Sequence, residues 1–114
     1  MSTHRLSNEL QRIYRIDKFN VPIATRQEFV DRVNKTNEFL RTLPGFIQDF
    51  VLEQTGGPGE FNFITIVIWE DAEAIEAARK AVTAMYEEIG FNPQDLLDRL
   101  GIKADLANYQ QLEN

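Results

Sequence analysis

The chain has 114 residues, 43% of them apolar and 26% charged, with a net charge of −6. That composition describes one globular domain with enough chain for a single core. The absence of Cys excludes disulfides, thiolate catalysis, iron–sulfur clusters and cysteine zinc sites. A single His, His4, excludes a multi-histidine metal site and a Ser-His-Asp arrangement outside the polar tail. An acidic surface repels phosphate backbones and anionic lipid, so neither nucleic acid nor membrane is an expected partner. The charge is uneven along the sequence: residues 1–41 carry eight bases and five acids, residues 42–114 four bases and thirteen acids.

Residues 1–12 form a polar N-terminal extension without the apolar run of a signal peptide, and a cytoplasmic location is expected. Residues 13–114 read as a single domain. Ile13 to Phe19 predicts a first strand, followed by the Val21-Pro22 breaker. Thr25-Arg26-Gln27-Glu28 has the spacing of a capping box, and the helix it opens carries Phe29, Val33, Thr36, Leu40 and Leu43 on one face. Pro44-Gly45 stops that helix.

Phe46 to Gln54 predicts a second strand and Glu60 to Trp69 a third, joined as a hairpin by Gly56-Gly57-Pro58-Gly59. That turn lacks the Lys and Ser/Thr of a phosphate-binding loop, and a strand follows it rather than a helix. Asp71 is an N-cap for a second helix, with Ile75, Ala78, Val82, Met85 and Ile89 on its apolar stripe and Gly90 at its end. Asn92-Pro93 opens a short helix to about Leu100. Ile102 to Leu112 predicts a fourth strand. The order β-α-β-β-α-β is ferredoxin-like: an α+β fold with a four-stranded antiparallel sheet and two helices on one face.

The third strand is apolar on both faces. Phe61, Phe63, Thr65, Val67 and Trp69 point one way, and Asn62, Ile64, Ile66 and Ile68 the other. Three isoleucines left in water forfeit several kcal/mol at about 25 cal/mol per Å² of apolar area. A homodimer packed sheet to sheet is the expected cover.

Two short motifs resemble the antibiotic biosynthesis monooxygenase family of the dimeric α+β barrel superfamily. They are Leu43-Pro44-Gly45-Phe46, between the first helix and second strand, and Trp69-Glu70-Asp71-Ala72-Glu73-Ala74, between the third strand and second helix. The resemblance covers about residues 13–90. It implies a dimeric α+β barrel with a pocket in each chain between sheet and helices. It also implies cofactor-free oxygenation of aromatic phenols or, in other members, haem degradation. In the oxygenases a Trp ending strand three and an Asn on strand one are associated with the pocket. Trp69 matches the first, whereas Asp17 falls where the Asn would lie. Haem-degrading members use a helix-two His as iron ligand; here Arg79 lies near that place and no His does.

Trp69 and Asp17 are the candidate catalytic residues. Trp69 either walls an aromatic pocket or plugs the core at the strand end. Asp17 shares a strand face with Arg15 and Phe19, opposite to Tyr14. In an apolar pocket its pKa would rise and it would serve as a base, and otherwise it is a solvated or Arg-paired acid. Phe19, Phe63, Arg79 and Tyr86 are the candidate substrate-binding residues. Arg79 alternatively lies along its own helix. Asn62 is either a polar group aimed into the barrel or a wet residue beside the turn. Glu70, Asp71 and Glu73 suit a capped helix start better than a metal site. No cofactor and no metal is expected. The expected activity is a monooxygenase acting on a small electron-rich aromatic. The alternatives are a dimeric small-molecule sensor and an oxygen-independent isomerase or lyase.

Overall fold

The computed structural model describes residues 8–113. Most of the expected N-terminal extension, with His4, lies outside them. Four strands, β1 (Ile13–Asn20), β2 (Phe46–Glu53), β3 (Phe63–Trp69) and β4 (Lys103–Gln110), form one antiparallel sheet in the order β2-β3-β1-β4. Helices α1 (Arg26–Leu40), α2 (Ala72–Ile89) and α3 (Pro93–Leu100) complete the ferredoxin-like fold. Among the described residues, no helix is long and apolar enough to cross a membrane.

Strand register decides which side chains share a face, because alternate residues point to opposite sides. Arg15, Asp17 and Phe19 of β1 lie opposite Val67, Thr65 and Phe63 of β3. Phe63, Thr65, Val67 and Trp69 are buried, and Ile64, Ile66 and Ile68 between them are only half-buried. Around those isoleucines on the open face stand Tyr14, Ile16, Phe50 and Leu52.

The helix side holds two apolar clusters rather than one. Phe19, Val21, Phe29, Phe63, Leu100 and Ile102 fill one end. Val67, Trp69 and Ala78 fill the other, backed by Leu40, Leu43, Phe46 and Ile75.

Several local expectations change. The capping box does not form. A 3₁₀ turn over Ile23–Thr25 leads into α1 and leaves Thr25 at φ −111°, ψ 6°. An N-cap side chain needs extended backbone to reach the helix amides. The Thr25 hydroxyl instead donates to the Pro22 carbonyl at 3.0 Å, and Glu28 pairs with Arg99. Strand β3 starts at Phe63 rather than Glu60. Asn62 neither enters a barrel nor stays wet: its amide donates to Val21 O (2.9 Å) and accepts from Val21 N (2.8 Å), tying the hairpin to the segment after β1. Ile89, at the end of α2, is 55% exposed and off the core stripe. Strand β4 stops at Gln110, so Leu112 lies outside it.

The caps of the other two helices follow the sequence. Asp71 accepts from Ala74 N (2.8 Å), and Asn92 accepts from Gln94 N and Asp95 N with Pro93 at the first position. The Leu43-Pro44-Gly45-Phe46 and Trp69-Glu70-Asp71-Ala72-Glu73-Ala74 segments meet in space. Gly45 has φ +84°, and a Cβ there would lie 2.4 Å from the Ala74 Cβ. Its carbonyl accepts from Glu70 N at 2.9 Å.

Candidate functional site

The sheet, α1, α2, α3 and the α2–α3 connection line a half-open cavity of about 430 Å³ between the two apolar clusters. That is within the range of small-molecule sites, about 300–1,000 Å³. Its floor is the sheet: Asp17, Thr65, Val67 and Trp69. Its roof is made by Asn37 and Leu40 of α1 with Ala78 and Val82 of α2.

Of the six candidates named from the sequence, Trp69, Asp17, Phe19, Arg79 and Tyr86 all line this cavity. Phe63 does not; it is sealed behind Phe29, with ring centroids 5.3 Å apart and the Arg26 guanidinium over its outer side. Trp69 is 2% exposed and meets Phe46 edge to face at 5.8 Å. It therefore walls the cavity and packs the core at once. Tyr86 is held by its hydroxyl, 3.0 Å from that of Thr36, and by an edge contact with Phe91 at 4.9 Å. Arg79 reaches the rim, but its guanidinium is turned along its own helix to Glu76 at 2.6 and 3.1 Å.

Asp17 is the one carboxylate among the lining residues. Burial pushes its carboxyl above the ordinary value of 3.8, and the Arg15 hydrogen bond and charge act against that rise. The pair is close, with Arg15 Nε donating to Asp17 Oδ1 at 2.6 Å. Both belong to β1 two residues apart, so the strand itself sets them side by side on one face.

Arg32, Asn37 and Phe91 are among the lining residues that sequence reading does not single out. Arg32 and Asn37 of α1 were hidden because polar residues on a helix are normally assigned to its wet face. Asn37 is nevertheless 4% exposed, and its side-chain Nδ2 has no hydrogen-bond partner among the described residues. Phe91 sits in the α2–α3 connection, where the Arg32 guanidinium lies over its ring at 4.0 Å. The helical spacing from Phe29 through Val33 to Asn37 was the available signal, since it continues one buried stripe by fours.

Among the described residues, no group of three His, Cys, Asp or Glu side chains gathers to hold a metal ion. Of the side chains that ligate haem iron, only Tyr86 lines the cavity among the described residues, and its hydroxyl is engaged with Thr36. The lining therefore does not fit haem as a resident group.

The sequence profile of the family described as antibiotic biosynthesis monooxygenase matches residues 12–84. No curated protein matches the chain. Among solved structures, a conserved protein from Methanosarcina mazei Go1 is similar at a TM-score of 0.71 and 18% identity, over 94% of this chain and 99% of that one. SnoaB, a cofactor-independent oxygenase from Streptomyces nogalater, is similar at 0.62 and 19% identity, over 91% and 96%. MhuD, a haem-degrader from Mycobacterium tuberculosis solved with two haems in its active site, is similar at 0.65 and 21%, over 90% and 97%. At these identities the structures share the fold; the profile match, which spans more than half of the sequence, carries the kinship. The chain belongs to the antibiotic biosynthesis monooxygenase family.

Proposed function

We propose that this protein is a cofactor-independent monooxygenase that takes a small electron-rich aromatic or phenolic compound into the cavity between sheet and helices. The observation that carries this reading is an apolar, aromatic-walled cavity with one carboxylate on its floor, its pKa raised by burial. Such a carboxylate is a base of useful strength toward a phenol or the acidic methylene of an anthrone. The balance for an anthrone is simple. Asp17 removes a C–H proton, the carbanion passes an electron to dioxygen, and the two radicals join as a peroxide. Loss of water leaves a new C=O. One oxygen atom enters the product, the other leaves as water, and the substrate supplies every electron. The chain contributes a dry site, a placed base and the Trp69 wall.

The open sheet face, with Ile16, Ile64, Ile66, Ile68, Phe50 and Leu52, packs against a second copy of this chain to make the α+β barrel. Covering it returns the apolar area that water holds at about 25 cal/mol per Å².

Oxygen uptake with a panel of hydroquinones and anthrones tests the activity. Uptake above the buffer blank, reduced tenfold or so by Trp69→Phe, is the expected result. No uptake from any member of the panel counts against it. One observation favours a second reading, a dimeric binding module without turnover: the Arg15 hydrogen bond occupies an Asp17 oxygen that a base would use. Saturable binding of an anthrone with no oxygen consumed selects that reading. Turnover that continues without oxygen selects an isomerase or lyase on the same base.

A further inference from the structure

Two polar groups of α1 line the cavity without a hydrogen-bond or ion-pair partner among the described residues. Asn37 lines it almost fully buried, with an Nδ2 donor that nothing among the described residues accepts. A buried donor left unmade is a standing cost to the folded chain, which a ligand oxygen removes. Arg32 lines it as well. Among the described residues, Arg15, Arg26, Arg41, Arg79 and Arg99 each hold a carboxylate. Arg32 holds none and rests on the Phe91 ring at 4.0 Å. That ring is fixed by Tyr86, and Tyr86 by Thr36 of the same helix. The guanidinium is thus held in place by packing while its charge stays uncompensated.

We infer that Arg32 and Asn37 read the polar end of the ligand, which is an aromatic carboxylate carrying an oxo or phenolic oxygen. The Arg32 fork takes the carboxylate, and Asn37 Nδ2 donates to the ring oxygen. Arg32 and Asn37 stand five residues apart on α1, about 7.5 Å along its axis and about 140° around it, so they meet two separate groups of the ligand rather than one. In a chain of net charge −6, Arg15 of the lining is paired with Asp17 and Arg79 with Glu76, which leaves Arg32 as the lining arginine without a carboxylate among the described residues. A carboxylate is therefore drawn to this cavity and repelled by much of the remaining surface. The inference rests on the reading that the cavity holds an aromatic compound and is independent of oxygenation.

The test uses 9,10-anthraquinone-2-carboxylate and its methyl ester, neither of which can be oxygenated by the proposed route. Quenching of Trp69, the only tryptophan, reports binding. The wild-type protein is expected to bind the acid at least about tenfold tighter than the ester, ~1.4 kcal/mol. Arg32→Gln brings the two to near equality, chiefly by weakening the acid. Asn37→Leu weakens acid and ester alike and raises the unfolding midpoint of the ligand-free protein because the orphan donor is gone, whereas Asn37→Asp weakens both and the acid more, since it also sets a carboxyl beside the ligand. Equal affinity of the wild-type protein for acid and ester overturns the inference. So does an acid preference that survives in Arg32→Gln, or unchanged binding in both Asn37 variants. Failure of oxygen uptake alongside the expected binding pattern removes the oxygenase reading and leaves this one standing.

Discussion

Asp17 and Arg15 form the polar core of the proposed chemistry, and their opposing effects are separable by mutation. Burial raises the Asp17 carboxyl, the Arg15 hydrogen bond and charge lower it, and the Asp105 charge raises it further. The base must be ionised to act, so uptake falls as pH drops through that raised pKa. Arg15→Gln removes the two lowering influences. The acid limb of the rate profile then moves to higher pH, which a residue with a packing role alone would not cause. The stability sign follows from the same shift. A carboxyl whose folded pKa lies above the unfolded value binds protons more tightly in the folded state. Its ionisation therefore costs stability as pH rises from about 3.8 through the folded pKa, and the cost persists above it. Asp17→Asn is accordingly expected to abolish uptake yet unfold at a higher temperature than the wild-type protein at pH 7. That margin shrinks as the medium is acidified below the folded pKa. Thermal melts across pH check it.

At the scale of elements, the corner joining α1 to β2 and β3 to α2 seats Trp69 against the cavity. Gly45 has φ +84°, its absent Cβ leaves room for Ala74, and its carbonyl holds Glu70 N. Gly45→Ala adds a left-handed alanine and a direct overlap with Ala74. A loss of about 2 kcal/mol or more is expected in urea melts, with weakened ligand binding as Trp69 shifts. This corner was legible in the sequence because a glycine after a helix, an Asp cap and a Trp ending an apolar strand are all local signals. The capping box was misread because capping depends on the backbone entering the helix, and the 3₁₀ turn before Arg26 leaves no place for it. Asp17 and Trp69 were visible as chemistry on a strand face. Asn37 and Arg32 were not, since only the tertiary arrangement turns those polar positions inward. Phe63 failed as a site residue for a related reason: register puts it on the cavity side of the sheet, but Phe29 packs over it first.

On the scale of the whole molecule, the described chain is thin and broad, 50 × 40 × 17 Å, with a radius of gyration of 15.5 Å. A compact chain of this length has about 13 Å. A two-layer body with helices on one face only leaves the sheet's isoleucines and Phe50 to find cover elsewhere. Ile66→Glu puts a charge at the middle of that face. Sedimentation is expected to show a dimer for the wild-type protein and a monomer for the variant, whereas a wild-type monomer removes the barrel. The proposed dimer would also serve the proposed reaction, because it would keep water from the sheet behind Asp17. The most direct test of the proposed activity follows the oxygen atoms in a single turnover of 1,8-dihydroxyanthrone under ¹⁸O₂. One ¹⁸O in the quinone product and one in water, at a rate lost in Asp17→Asn, is the expected result. A product without ¹⁸O, or anthrone returned unchanged while still bound, contradicts a monooxygenase.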